Sequence, residues 1–174
     1  QEESVIWDFI GGEPFLEIEL IDKICDYIKT EMFRRNHHWF NSYRFSFSTN
    51  GINYHTKKVQ NFIKKNREHL SIGITIDGTK RKHDLNRIWK TPEVEMGITL
   101  KPEDERGSYE DVVSNIPLWL KQFPDAGTKV TISSADISYI KESVLHLYSL
   151  GIHEVNINCV FEDVWNEGDD VKFE

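Results

Sequence analysis

Sulfur is scarce in this chain: only two cysteines, Cys25 and Cys159, occur in 174 residues. They make neither a CxxC pair nor a disulfide framework. Small stapled scaffolds are therefore excluded, and a soluble, reducing, cytoplasmic setting is the expectation. No apolar run approaches the roughly 20 residues of a membrane span. Gln1-Glu2-Glu3 has neither the basic start nor the apolar segment of a secretory leader. Positive charge is in deficit, with 21 Lys and Arg against 29 Asp and Glu and a formal net charge of -8. That argues against general nucleic-acid binding. The sequence holds no Gly-rich phosphate loop ending in Lys and no GxGxxG fingerprint. It also shows no internal repeat and no low-complexity segment. His37 and His38 are adjacent, and neighbours on one strand or helix point apart, so no metal site is expected from them.

What is present is a regular alternation. Val5 to Ile10 reads as a buried strand. Glu17 to about Arg34 reads as a helix, with Leu20, Ile21, Ile24, Cys25, Ile28 and Met32 on one stripe. Tyr43 to Ser48 alternates as a strand does and ends at Asn50-Gly51. A helix is predicted over Tyr54 to Asn66 and a strand over Leu70 to Ile76, closed by Asp77-Gly78. Thr79 to Arg106 is less regular: a basic loop, a short helix near Leu85 to Trp89, and a strand at Glu95 to Leu100. A helix capped by Ser108 ends before Pro124, and Thr128 to Ser133 is a strand. Ser134 or Asp136 caps a helix that stops at Gly151. His153 to Val160 is the last strand, and the acidic tail from Glu162 is expected to be loose. Strands alternating with helices imply right-handed crossovers and a parallel sheet. Five strands leave two choices, an open doubly wound sheet or an arc of a barrel.

In such folds ligands bind at the carboxyl ends of the strands. That rim carries Gly11, Gly12, Glu13 and Pro14, then Ser48, Thr49, Asn50 and Gly51. It continues through Thr75, Asp77 and Gly78, then Ser133, Ser134 and Asp136, then Glu162, Asp163 and Trp165. Hydroxyls, amides and acids dominate it. A Gly-Gly-Glu edge offers carbonyl oxygens and a negative field, which suits an ammonium group. Neighbouring Ser, Thr, Asn and Asp suit ribose hydroxyls. One segment differs: Lys57 to Lys90 has ten Lys or Arg and three acids. It reads as solvated surface or as a face for an acidic partner such as a peptide.

These rim segments resemble a known family. "GGEPFL" at Gly11 to Leu16 looks like the Gly-Gly-Glu-Pro motif of radical S-adenosylmethionine (radical SAM) enzymes, and "STNGI" at Ser48 to Ile52 looks like their second-strand element. "ITIDGTKRKHDLNR" at Ile74 to Arg87 and "LGIHEVNINCVFEDVW" at Leu150 to Trp165 are similar to stretches of the subgroup that matures sulfatases and modifies peptides. The resemblance runs over about residues 5 to 165. It implies an α/β fold, a partial six-stranded TIM-like barrel of parallel strands that here lacks its first strand. The barrel core would be residues 1–161 and the acidic tail 162–174. Gly11, Gly12 and Glu13 would hold the methionyl amino group, and Pro14 would fix the turn. Thr75 would approach the ribose or carboxylate, Asp77 would end the same strand, and Arg87 would meet the methionyl carboxylate. Thr49 and Asn50 would shape the adjacent wall. The implied chemistry is reductive cleavage of S-adenosylmethionine to a 5′-deoxyadenosyl radical, which takes hydrogen from a peptide or protein substrate. The implied electron donor is a flavodoxin or ferredoxin.

The chain departs from the family in lacking the C-x3-C-x2-C loop. A 4Fe-4S cluster is held by several Cys thiolates. Cys25 lies mid-helix, where it packs as a small hydrophobe, and Cys159 stands alone. The expectation is a middle segment of a longer protein, inactive as it stands. Two alternatives remain. One is a cluster-less binding or scaffold module of the same fold. The other is acid/base chemistry by Glu13, Asp77 and Glu162.

Overall fold

The computed structural model describes residues 4–89, 106–162 and 164–173. Strand β1 (Val5–Phe9) leads through a single 3-10 turn, Pro14–Glu17, into α1 (Ile18–Arg34). A 3-10 turn at His38–Asn41 precedes β2 (Tyr43–Thr49), and α2 (Lys57–Asn66) leads to β3 (Leu70–Ile74). Next come α3 (Lys80–Asn86), α4 (Tyr109–Val113), α5 (Ile116–Gln122) and β4 (Thr128–Ile132). The 3-10 stretch Ser134–Tyr139, α6 (Ile140–Ser149), β5 (Val155–Cys159) and α7 (Asp169–Phe173) complete the order. Every strand pair is parallel, as the alternation predicts.

The single sheet expected from the sequence is instead two, β1-β2-β3 and β4-β5. They meet at one parallel bridge between Thr75 and Lys129. Side chains take over where the ladder stops. The Thr128 hydroxyl donates to Ile74 O (2.7 Å) and accepts from Ile76 N (3.1 Å), and Trp119 Nε1 donates to Ile72 O (2.8 Å). A buried carbonyl needs a donor, and these two residues supply it without a neighbouring strand.

One face of both sheets is apolar and covered by helices. Phe45, Phe47, Leu70, Ile72, Ile74, Val130 and Ile132 pack there with Val59, Phe62, Ile63 and Trp119. The opposite face carries Ser46, Ser48, Ser71, Lys129, Thr131, Asn156 and Asn158, which are exposed or half-buried among the described residues. This period-two split places the polar residues on one open surface.

The stripe predicted for α1 is buried at Ile21, Cys25 and Met32, but Leu20 and Ile24 are exposed. The flank facing α2 is polar, with Lys58 on Glu19 and Lys65 on Asp22 and Asp26. Strand β1 is the edge of its sheet among the described residues. The helix predicted from Ser108 is broken at Ser114-Asn115. The Asn115 N–H donates to Val112 O, three residues back, its side-chain Nδ2 donates to Gly51 O and Ile52 O (2.9 and 3.2 Å), and Pro117 suits a new first turn. Ser108 gives no capping bond. The short helix expected near Leu85 starts earlier, because Thr79 accepts from Lys82 N and caps it. The strand expected at Glu95 to Leu100 lies outside the described residues, as does Asp163. The tail is folded where it is described. Asn166 Nδ2 donates to Ser134 Oγ (2.5 Å), and Trp165 Nε1 donates to Val160 O (2.9 Å). His37 and His38 do not point apart. They straddle the start of a 3-10 turn and their rings stack at 4.5 Å.

Candidate functional site

The rim of β1 and β2 is built around Glu13. Its Oε1 accepts from Phe15 N (3.0 Å) and from the Thr49 hydroxyl (2.6 Å), and its Oε2 accepts from Asn50 N (2.7 Å). One carboxylate thus caps the 3-10 turn that Pro14 opens and ties the ends of two parallel strands. Thr49 Oγ1 also accepts from Gly51 N (3.1 Å), and Asn50 Oδ1 from Ile52 N (3.0 Å). Thr75 N donates to Thr49 O (2.8 Å) and brings β3 to the same end. Just before Glu13, Gly11 and Gly12 have φ of +89° and +51°, and a Cβ on either would meet no heavy atom within 4 Å. The glycines border open space, and their left-handed backbone aims peptide groups that an extended strand could not.

The rim of β3 and β4 is built around Asp77, which is 2% exposed. Arg87 returns from the end of α3 and grips both carboxylate oxygens, and Thr131 N donates to Oδ1 (3.0 Å). Burial alone would raise this carboxyl. The Arg87 guanidinium, the Thr131 N–H and the Lys82 charge outweigh burial and hold it below the usual carboxylate range. Arg87, expected at a ligand carboxylate, has its guanidinium on Asp77, with 29% of its side chain exposed.

Two buried groups beside Asp77 were not singled out by sequence reasoning as parts of the site. Lys82 is 0% exposed, donates to Thr131 O (2.9 Å) and lies 3.7 Å from Asp136. His83 is also 0% exposed. Its Nδ1 accepts from Asp77 N (3.3 Å), so the proton resides on Nε2, which faces Ser108 Oγ (3.1 Å). The Ser108 hydroxyl then donates to Arg87 O (3.0 Å). Burial pushes the His83 pKa down to about 4. Stability linked to it is complete above the unfolded value near 6.5 and falls as pH drops from there toward about 4, by about 3 kcal/mol. An NMR titration should find the His83 ring neutral at pH 5.5, and titration at an ordinary histidine pKa would contradict this network.

The remaining rim positions divide. Ser133 and Asp136 form a capping box that starts the 3-10 stretch after β4, and Ser134 receives Asn166. Asp77 is occupied by its own chain's donors, and so is Glu13, which leaves neither as a free acid or base. Cys25 is fully buried and burial raises its thiol to about 12, whereas Cys159 is exposed at the end of β5. Among the described residues no group of three or more His, Cys, Asp or Glu is placed to hold a metal ion. Half of the ten cations of the basic stretch meet a carboxylate of the chain: Lys58 and Lys65 on α1, Lys80 on Asp84, Lys82 near Asp136 and Arg87 on Asp77.

No protein-family model matches the chain. It is 27% identical over 154 residues to an uncharacterized protein of Methanocaldococcus jannaschii, covering 87% of this chain and 45% of that one. Among solved structures it is similar to native anSMEcpe, an anaerobic sulfatase-maturating radical SAM enzyme, with AdoMet bound and with AdoMet and a peptide bound. Each match has a TM-score of 0.69 and 19% identity, over 98% of this chain and 44% of that one. The likeness is one of fold. The chain spans less than half the length of these relatives.

Proposed function

We propose that this chain is the S-adenosylmethionine-binding part of a radical SAM enzyme that modifies a peptide or protein. The observation that carries the reading is the open Gly11-Gly12 edge, locked beside Thr49 and Asn50 by the three hydrogen bonds of Glu13. Its fold likeness to an enzyme with AdoMet and peptide bound supports the same reading.

The residues fit S-adenosylmethionine. Carbonyl oxygens of the glycine edge accept from its ammonium group, which an apolar or basic rim would not do. Glu13 acts through the backbone: it orients the edge and adds negative charge, since its oxygens already accept from Phe15, Thr49 and Asn50. Thr75 meets the ribose or carboxylate. Arg87 turns its exposed portion to the carboxylate while Asp77 keeps the guanidinium in place. When bound and reduced, S-adenosylmethionine supplies hydrogen-atom abstraction. The residues of this chain do not fit the 4Fe-4S cluster such chemistry uses, since Cys25 is in the core and Cys159 stands apart from it. Cluster thiolates come from outside these residues, so the chain alone is inactive.

The test uses the product of the complete gene, purified without oxygen. Calorimetry should show S-adenosylmethionine binding, and iron analysis about four irons per chain or a multiple of that. Binding without iron after reconstitution would convert the reading to a non-enzymatic binding module of the same fold. Absence of binding in an iron-loaded protein would end it.

A further inference from the structure

The wall beside the glycine edge is held from two sides. Glu13 fixes its front, through the Thr49 hydroxyl and Asn50 N. Behind it stands Asn115, which is 4% exposed and lies where α4 gives way to α5. The backbone of Asn115 belongs to both helices. Its N–H donates to Val112 O and its carbonyl accepts from Trp119 N (both 3.0 Å). Its side chain belongs to the wall. Nδ2 donates to Gly51 O (2.9 Å) and Ile52 O (3.2 Å), with Asp111 O of α4 also at 3.2 Å. Moving the loop away would strand polar groups on both sides of this contact. Gly51 has little room of its own. It lies at φ +76°, and a Cβ there would stand 2.7 Å from Ile74 Cγ2. The next link runs toward the rim. Ile52 N donates to Asn50 Oδ1 (3.0 Å). That bond uses the oxygen of the Asn50 amide and leaves Nδ2 as the group this half-buried residue offers.

We propose that Asn115 is a positioning residue for S-adenosylmethionine, acting through Asn50. This rests on the reading of the site given above. Gly51 O and Ile52 N are the two ends of one planar peptide group, so the direction of one sets the direction of the other. Asn115 holds the oxygen end. The N–H end therefore stays on Asn50 Oδ1, and the Asn50 amide keeps its donor turned to an acceptor oxygen of the ligand. Tyr54 N reaches the same Gly51 oxygen at 3.2 Å. It comes from the loop itself and moves with it, whereas Asn115 ties the peptide to helices outside the loop.

The experiment is a double-mutant cycle on the reconstituted product of the complete gene. Calorimetry measures S-adenosylmethionine affinity in the parent, Asn50→Ala, Asn115→Leu and the double variant, with a urea midpoint for each. Asn50→Ala should weaken binding about tenfold, the size of one hydrogen bond. Asn115→Leu, which keeps the branching and has no donor, should weaken it by about the same factor. The double variant should lose no more than about tenfold in total, because Asn115 acts only through Asn50. A residue that merely stabilised the fold would lower the urea midpoint. It would either spare the affinity or multiply with the loss at Asn50, to about a hundredfold. Asn115→Asp keeps the shape and replaces the donor by an acceptor, and it repeats the cycle if leucine prevents folding. Unchanged affinity in Asn50→Ala or in the Asn115 variant, or a loss near a hundredfold in the double variant, would overturn the proposal and leave the S-adenosylmethionine reading standing. An iron-loaded parent that does not bind S-adenosylmethionine removes that reading and the proposal with it.

Discussion

Asp77→Ala is expected to lower the free energy of unfolding by about 3 kcal/mol, read as a fall in the urea midpoint at neutral pH. The substitution removes a carboxylate that is 2% exposed and that holds Arg87 and Thr131 N together. Two groups lose their partner. Thr131 N–H faces the start of a strand end with nothing to accept it. Arg87 is left with a charge in a partly buried place, and its 29% exposure lets it relax toward water. That relaxation keeps the loss at the lower end of the range for a broken buried pair. Asp77→Asn keeps an acceptor for Thr131 and should lose less. The sign of the pH dependence follows from the carboxyl being held below its usual range. The contribution is complete above about pH 4 and drains as pH falls through the lower folded-state value. A variant with the parent's urea midpoint would mean that the pair does not hold the β3–β4 rim.

The same rim shows how far the sequence could be read. The strands and the helices around them were legible because burial on one face leaves a period. β2 and β3 alternate, and α1 carries Ile21, Cys25 and Met32 at helical spacing. The glycine edge was legible because two adjacent glycines after a strand have few other uses. The split of the sheet was not, since it depends on Thr128 and Trp119 reaching carbonyls far away in sequence. Lys82 and His83 sit in a run of charge, Lys80-Arg81-Lys82-His83-Asp84, which reads as solvated surface. Only the packing of α3 against α4 and the reach of Lys82 to Thr131 O decide that Lys82 is enclosed while Lys80 is not. A helical phase count on so short and polar a segment has no apolar stripe to anchor it. The Arg87–Asp77 pair was not legible, since a pairing across ten residues is one that sequence distance alone does not favour over others.

Gly12→Val should abolish S-adenosylmethionine binding in the complete protein while leaving it folded, and the structure allows these two effects to be separated. At φ of +51° a β-branched residue is strained, at a cost of about 1 to 2 kcal/mol. No protein atom lies within 4 Å of the new Cβ, so steric collision inside the chain adds nothing. Whatever further loss occurs must come from something that occupies that open space when the site is filled. Gly12→Asn serves as the partner experiment, because asparagine tolerates the left-handed region better than valine. If strain were the whole effect, Asn would bind nearly as well as Gly and only Val would fail. If the ligand's methionyl end fills the space, both variants fail, because both carry a Cβ and bulk beyond it. Calorimetric titration with S-adenosylmethionine and a urea midpoint for each variant decide between the two. Loss of binding in both, with midpoints lowered by no more than that strain, assigns the Gly11-Gly12 edge to the ligand. Unchanged affinity in Gly12→Val would place S-adenosylmethionine elsewhere and leave the glycines as a turn.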